Sequence, residues 1–239
     1  MYDPVTALAA IDAHQTAIFA LMSGAVGFSF VYFLIAVRLA IRQQAYVVPF
    51  IGASLFLWHD LSFVLHYPVW ISAYGGHWWL RIWTFALVGT VALEAFLLWQ
   101  FIRYGHKEIM PDVSRGMFAT LTVLATLGVG AMWWLVKACL DDPLYLVSFA
   151  ITAVWSVPLH TGVMLRRGSR VGQSVAMEAS VMVIFACLSG VLMLTAPFFR
   201  TPVYLVFLAA FMSWPAVNIW MFYRYPPLEG EGQPSAATT

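Results

Sequence analysis

Charge is what this chain has least of. Among 239 residues only 10% are Asp, Glu, Lys or Arg, twelve basic against eleven acidic, for a net charge of +1. So small and balanced a charge gives no footing for nucleic acid or any other polyanion. Cysteine is nearly absent as well: Cys139 and Cys187 lie in or at the end of apolar segments, without metal-ligand or redox spacing, and read as small packing residues. No Asp-rich metal motif and no Gly-rich nucleotide loop occurs, so neither diphosphate ionisation on a metal nor nucleotide chemistry is indicated, and no cofactor is expected. The start, Met-Tyr-Asp-Pro-Val-Thr, lacks a basic region, and no small-residue cleavage site follows the first apolar run, which is therefore expected to stay as a helix.

Apolar residues fill the space that charge leaves. They make up 62% of the chain, aromatics 16%, and the mean hydropathy is +0.82. Seven apolar stretches are expected to be membrane-crossing helices: residues 17–37, 46–67, 82–102, 117–136, 144–165, 175–196 and 203–222. Each is long enough to cross a hydrocarbon core of ~30 Å at 1.5 Å rise per residue. The reading is an all-α, polytopic membrane domain over residues 1–225 with sequential helices antiparallel, followed by a polar, disordered tail over 226–239. Of the twelve basic residues, nine (Arg38, Arg42, Arg103, Lys107, Arg115, Arg166, Arg167, Arg170, Arg224) fall on one side and three (Arg81, Lys137, Arg200) on the other. That bias puts the N-terminus outside and the tail in the cytosol. Trp70, Trp78, Trp79 and Trp83, with Tyr67 and Tyr74, are then expected to form an interfacial aromatic belt at the outer end.

An acid at mid-span costs at least ~2.5 kcal/mol on insertion scales, so Asp60, Glu94 and Glu178 need a partner or a task. Glu178 stands a few residues from a helix end and is expected to snorkel to water, whereas Glu94 sits near mid-membrane. In the second helix His59, Ser62 and His66 share one face at i, i+3, i+7 spacing, with Asp60 about 100° round from His59. A carboxyl and two imidazoles in low dielectric can work as an acid site; the same groups can also satisfy one another inside a bundle. His59 and His66 would be candidate haem ligands, with His160 or His14 as the other plausible partners. In the seventh helix Trp214 and Asn218 are one turn apart with Pro215 between them. The last span holds no lysine, which excludes a retinal Schiff base. Polar and charged groups do not repeat along the helices as a path lining would, which favours a closed pocket over a pore. Pro158, Pro197 and Pro215 all fall in the second half, which weakens a transporter reading.

Two motifs carry a resemblance. Trp58-His59-Asp60 followed by His66-Tyr67-Pro68 resembles the acidic-aromatic stretch ending in Tyr-Pro of the small integral-membrane terpene cyclases of fungal meroterpenoid and indole-diterpene pathways. The turn Arg167-Gly168-Ser169-Arg170-Val171-Gly172-Gln173-Ser174 is similar to that family's Arg-Gly-Ser-Ser-Arg-Gly-Gln-Ser loop, agreeing at six of eight positions. The seven-helix plan, the length and Arg103-Tyr104-Gly105 at the end of the third helix fit the same pattern. The resemblance implies an enzyme that protonates an epoxide or alkene of a prenyl chain and guides the carbocation through ring closure. It implies Asp60 as the second-helix acid. At the seventh helix the chain departs from the family, with Asn218 where an acid is expected, while Glu94 stands where the family tends to have an amide. The two positions would then have exchanged roles, and Asn218→Asp should be tolerated.

The expectation is a metal-independent enzyme acting on a lipophilic, isoprenoid-like substrate, with Asp60 and Glu94 catalytic. Trp58, His59, Phe63, His66, Trp155, His160, Trp214 and Asn218 would bind substrate. An aromatic face beside a desolvated cation is worth ~0.5–2 kcal/mol. An epoxide isomerase or hydrolase on the same fold is the nearest alternative; a lipid, sterol or haem-binding protein or a small transporter is the next.

Overall fold

The computed structural model describes residues 2–152 and 155–226, and the regular structure among them is helical. The tail beyond 226 lies outside the described residues. The order is α1 (Pro4–Ala13), α2 (Gln15–Gln43), α3 (Phe50–Leu65), α4 (Tyr67–Tyr74), α5 (Trp78–Ile109), α6 (Arg115–Cys139), α7 (Leu146–Thr152), α8 (Val157–Arg167), α9 (Val175–Thr195) and α10 (Pro202–Arg224), with a 3-10 turn at Pro197–Arg200. Boundaries follow local chemistry. Asp3 caps α1 by accepting from the Thr6 amide at 2.7 Å; Ser114 and Ser174 cap α6 and α9 in the same way. Prolines open α1, α4, α8 and α10 at their first two positions, where a missing N–H has no intrahelical partner to lose.

Six helical segments are long and apolar enough to cross a membrane: Gln15–Gln43, Trp78–Ile109, Arg115–Cys139, Leu146–Arg167, Val175–Thr195 and Pro202–Arg224. Their outward faces are as apolar as their inward ones, with Phe85, Leu135, Val203 and Val206 each about 70% exposed. Such a surface belongs in lipid, and the chain is an integral membrane protein. The second expected span is shorter than the sequence suggested. Residues 46–49 are irregular, α3 has only 16 residues, or ~24 Å of rise, and the chain breaks at His66 before α4. Pro68 is the physical reason: it has no N–H for the carbonyl of Val64 and its ring crowds that turn. The fifth span is divided as well, into α7 and α8.

α3 packs on α5 and α6, α2 lies along α9, and α10 lies against α8 and α9. Close approach relies on small residues: Gly130 of α6 leaves no room for a Cβ beneath the Trp58 ring, and a Cβ on Gly24 would sit 3.0 Å from Cys187 Sγ. The expected aromatic belt is largely inside the protein. Trp70, Trp79 and Trp83 are 2%, 2% and 6% exposed, because α4 and the start of α5 fold back over the bundle and are covered by α1 and the 140–149 region. Trp78, which donates to Asp12 at 2.7 Å, stays half-buried, as do Tyr67 and Tyr74.

Candidate active site

One stripe of α5 organises the interior. Trp83, Leu87, Thr90 and Glu94 recur at i, i+4, i+7 and i+11 and so share a face. That face lines a cavity of about 130 Å³ together with Asp60 of α3, Tyr32 and Phe33 of α2, Phe149 of α7, and Phe185 of α9. The cavity is apolar and aromatic apart from its two acids and a few hydroxyls, and both acids reach it from facing helices.

Asp60 is held on both oxygens. The Nδ1–H of His59 donates to Oδ1 at 2.7 Å, and the Thr90 hydroxyl donates to Oδ2. His59 is fully buried, its ring boxed edge-on by Phe149 (4.6 Å between centroids), Trp133 (5.2 Å) and Tyr145 (5.7 Å), and its Nε2 has no hydrogen-bond partner. Imidazole and carboxylate therefore fix each other's orientation. Glu94, 1% exposed, reaches the same cavity from α5, and its Oε2 has no hydrogen-bond partner. Two carboxyls lining one low-dielectric cavity repel each other when both carry charge.

The remaining residues expected at the site divide into three groups. Trp58 turns away from the cavity: its indole donates to the Thr126 carbonyl at 2.7 Å and its ring seats on α6. Phe63 is fully buried against Trp70, Tyr145 and Phe149, and Trp155 packs edge-on to Trp133; both back the site without lining it. His66 lies at the opposite end of α3 from Phe50, on an open recess of about 490 Å³ with Trp70, Lys137 and Asp141. Its Nδ1 is 3.1 Å from both the Tyr145 hydroxyl and the Ser62 carbonyl. Tyr145 adopts φ 61°, a left-handed backbone that a bulky residue rarely takes. Asp142 maintains it by accepting from the amides of Val147 (3.2 Å) and Ser148 (2.8 Å) and from the Tyr2 hydroxyl (2.6 Å). Burial, reinforced by the Asp142 charge, raises the pKa of Tyr2, and burial pushes Tyr145 up to about 12.

His160, Trp214 and Asn218 belong to a second polar cluster, centred on Glu178. His160 Nδ1–H donates to Glu178 Oε1 at 2.8 Å, the Asn218 amide donates to Oε2 at 3.1 Å and to the Val157 carbonyl at 2.9 Å, and Tyr32 meets His160 Nε2 at 3.3 Å. Thr161 bridges Asn218 Oδ1 and the Trp214 indole. The expectation that Glu178 snorkels to water is corrected: it is 3% exposed, because α8 brings it a partner that sequence distance conceals. Tyr32 links the two clusters, lining the cavity and touching His160.

The Arg167–Ser174 turn is a fastening. Arg167 pairs with Glu108 at 2.9 Å and donates to the carbonyls of Tyr46 (3.0 Å) and Val171 (2.8 Å); Gly172, at φ 76°, donates to Gln43 at 2.6 Å; Arg170 reaches the Tyr225 carbonyl at 2.8 Å. It joins α2, α5, α8 and α10 far from the cavity. Among the described residues no cluster of three or more His, Cys, Asp or Glu could hold a metal ion.

Thr90, Phe149 and Tyr32 were not among the residues the sequence singled out, and Trp83 was read there only as part of the aromatic belt. For the two on α5 a signal was present: stepping back from Glu94 at helical spacing reaches both. For Phe149 and Tyr32, which arrive from other helices, none was. No known protein family, curated protein or solved structure matches the chain.

Proposed function

We propose that the protein is a membrane-embedded acid catalyst that acts on a lipophilic, isoprenoid-like substrate. The observation that carries this reading is the carboxyl pair in an aromatic cavity, with Glu94 Oε2 buried and unpartnered. A buried acceptor left without a partner costs roughly 1–3 kcal/mol, an expense a structural role does not explain. A proton carried by one of the two acids, Asp60 or Glu94, passes to an epoxide oxygen or an alkene carbon. For an epoxide the C–O bond then opens toward the more substituted carbon. The cation faces the rings of Phe33, Phe149 and Phe185, each able to contribute ~0.5–2 kcal/mol when desolvated. Ring closure or migration ends with loss of a proton to the carboxylate pair, so the net reaction is an isomerisation that needs no co-reactant. His59 holds Asp60 in place and Thr90 supports its second oxygen. At about 130 Å³ the cavity is close to the ~150 Å³ that admits benzene. It therefore takes the reacting end of a prenyl chain.

The same charge bias places the N-terminus outside and the tail in the cytosol. A C-terminal reporter active only at the outer face would contradict that orientation.

The enzymatic reading is tested by turnover of an epoxidised prenyl substrate in detergent-purified variants. Asp60→Asn keeps shape and hydrogen bonding but not the transferable proton, and is expected to lower the rate by ~10²–10⁴-fold at unchanged melting temperature. Full activity in that variant would remove Asp60 as the acid.

A further inference from the structure

The cavity continues past its aromatic wall. A hollow of about 10 Å³ lies beyond it, and Trp83, Phe149 and Leu188 line both spaces. Trp79, one turn up α5 from Trp83 and 6.5 Å from it ring to ring, lines the far side. Trp79, Trp83, Leu87, Thr90 and Glu94 thus form one continuous stripe of α5.

Both indole N–H groups on this stripe, Trp79 Nε1 and Trp83 Nε1, are buried and have no hydrogen-bond partner. The Trp58, Trp70, Trp78, Trp133 and Trp214 indoles, by contrast, each donate to a named oxygen. A buried water answers the two idle donors poorly. The rest of the lining is Met22, Leu146, Phe149 and other apolar side chains, so a water there would accept from the indoles and have nothing to donate to. An oxygen that only accepts has no such deficit.

We infer that the Trp83 end of the cavity is a binding subsite for an acceptor-only oxygen, a carbonyl or ether, carried by the ligand and received by the Trp83 N–H with Trp79 beside it. Trp83 stands eleven residues, three helical turns, from Glu94. The oxygen it holds is therefore not the group that the carboxyl pair protonates, but a second one farther along the same molecule. The ligand is longer than a single isoprene unit, and Phe149 and Leu188 give way to its chain. Recognition is then two-ended, with an acid-sensitive group at Asp60 and Glu94 and an oxygen at Trp83. This rests on the cavity being the binding site proposed above, though not on any turnover.

The experiment uses two probes of the same shape, 2-undecanone and 2-methyl-1-undecene, which differ by oxygen in place of a methylene and carry no epoxide. Affinities are measured by ligand-detected NMR on the full chain in nanodiscs, for the parent and for Trp83→Phe, which keeps an aromatic wall and removes the donor. The ketone is expected to lose ~5–10-fold in affinity in Trp83→Phe, the range of one lost hydrogen bond, with the alkene changed less than twofold. Comparing parent with variant cancels the partition of each probe into lipid. In the parent, the carbonyl stretch of bound ketone should shift to lower frequency, and the shift should vanish in Trp83→Phe. Equal losses for both probes, or a carbonyl stretch in the parent unchanged from that in lipid alone, would overturn the subsite. Because neither readout involves catalysis, an inactive enzyme that still separates the probes refutes the acid reaction and keeps the subsite, and the reverse result does the opposite.

Discussion

Two histidine–carboxylate pairs lie inside this bundle, built alike and left in different states. His59 meets Asp60 at 2.7 Å and His160 meets Glu178 at 2.8 Å; both imidazoles are wholly buried. Around Glu178 the bonds close: both oxygens have donors, both nitrogens of His160 have partners, and Asn218, Thr161 and Trp214 complete the set. Around Asp60 they do not. His59 Nε2 and Glu94 Oε2 are idle, and a cavity opens before the acids. A closed network rigidifies a fold, whereas an open one stores capacity for a ligand at a cost in stability. Glu178 is therefore expected to matter for stability and Glu94 for chemistry, though both are buried acids in transmembrane helices.

The comparison is strained hardest by Glu178→Ala. Removing one member of a buried pair leaves His160 and Asn218 facing a void, and ~3–5 kcal/mol of stability should go with it, seen as poor yield and a melting temperature lowered by several degrees. A variant as stable as the parent would mean that the closed cluster does not hold the bundle. Asn218→Asp comes next. On the sequence alone it should be tolerated as the restoration of an acid. The structure reverses that expectation: the amide now donates to both Glu178 and Val157, and a carboxyl in its place has at most one proton for the two acceptors. A loss of ~1–3 kcal/mol is expected, measured by thermal unfolding in detergent, with no gain in activity. The smallest effect belongs to the fastening turn. Arg170→Ala loses the bond to the Tyr225 carbonyl and the stacking on Phe222 at 4.6 Å, about 1 kcal/mol together, and should lower thermal stability slightly at unchanged turnover. An inactive variant of parental stability would transfer the turn from structure to chemistry.

The course of the chain was largely legible in its sequence, because hydropathy over about twenty residues is a strong signal for a membrane span. What sequence obscured was tertiary. The shortening of α3 depends on how far Pro68 lets the helix run, and apolar composition is the same on both sides of the break. Trp79 and Trp83 read as belt residues because a tryptophan near a helix end looks the same whether lipid or protein covers it. Asp60 and Glu94 could be chosen from the cost of burying charge, and both line one cavity in the structure. His160 and Glu178 were separated in the reading, one assigned to substrate and one to the surface, since nothing in their spacing of eighteen residues across a turn announces a hydrogen bond.

The central claim is that the open cluster does chemistry and the closed one does not, and one matched measurement tests it most directly: turnover of an epoxidised prenyl substrate together with the melting temperature, for Glu94→Gln and Glu178→Gln in parallel. Glu94→Gln removes a proton carrier whose Oε2 has no partner to lose, so the melting temperature should hold while the rate falls by ~10²-fold or more. Glu178→Gln sets an amide donor against the donors of His160 and Asn218, so the melting temperature should fall while the folded fraction turns over at the parental rate. The opposite pattern, an active Glu94→Gln beside a stable but inactive Glu178→Gln, would contradict the account and place the reaction in the other cluster.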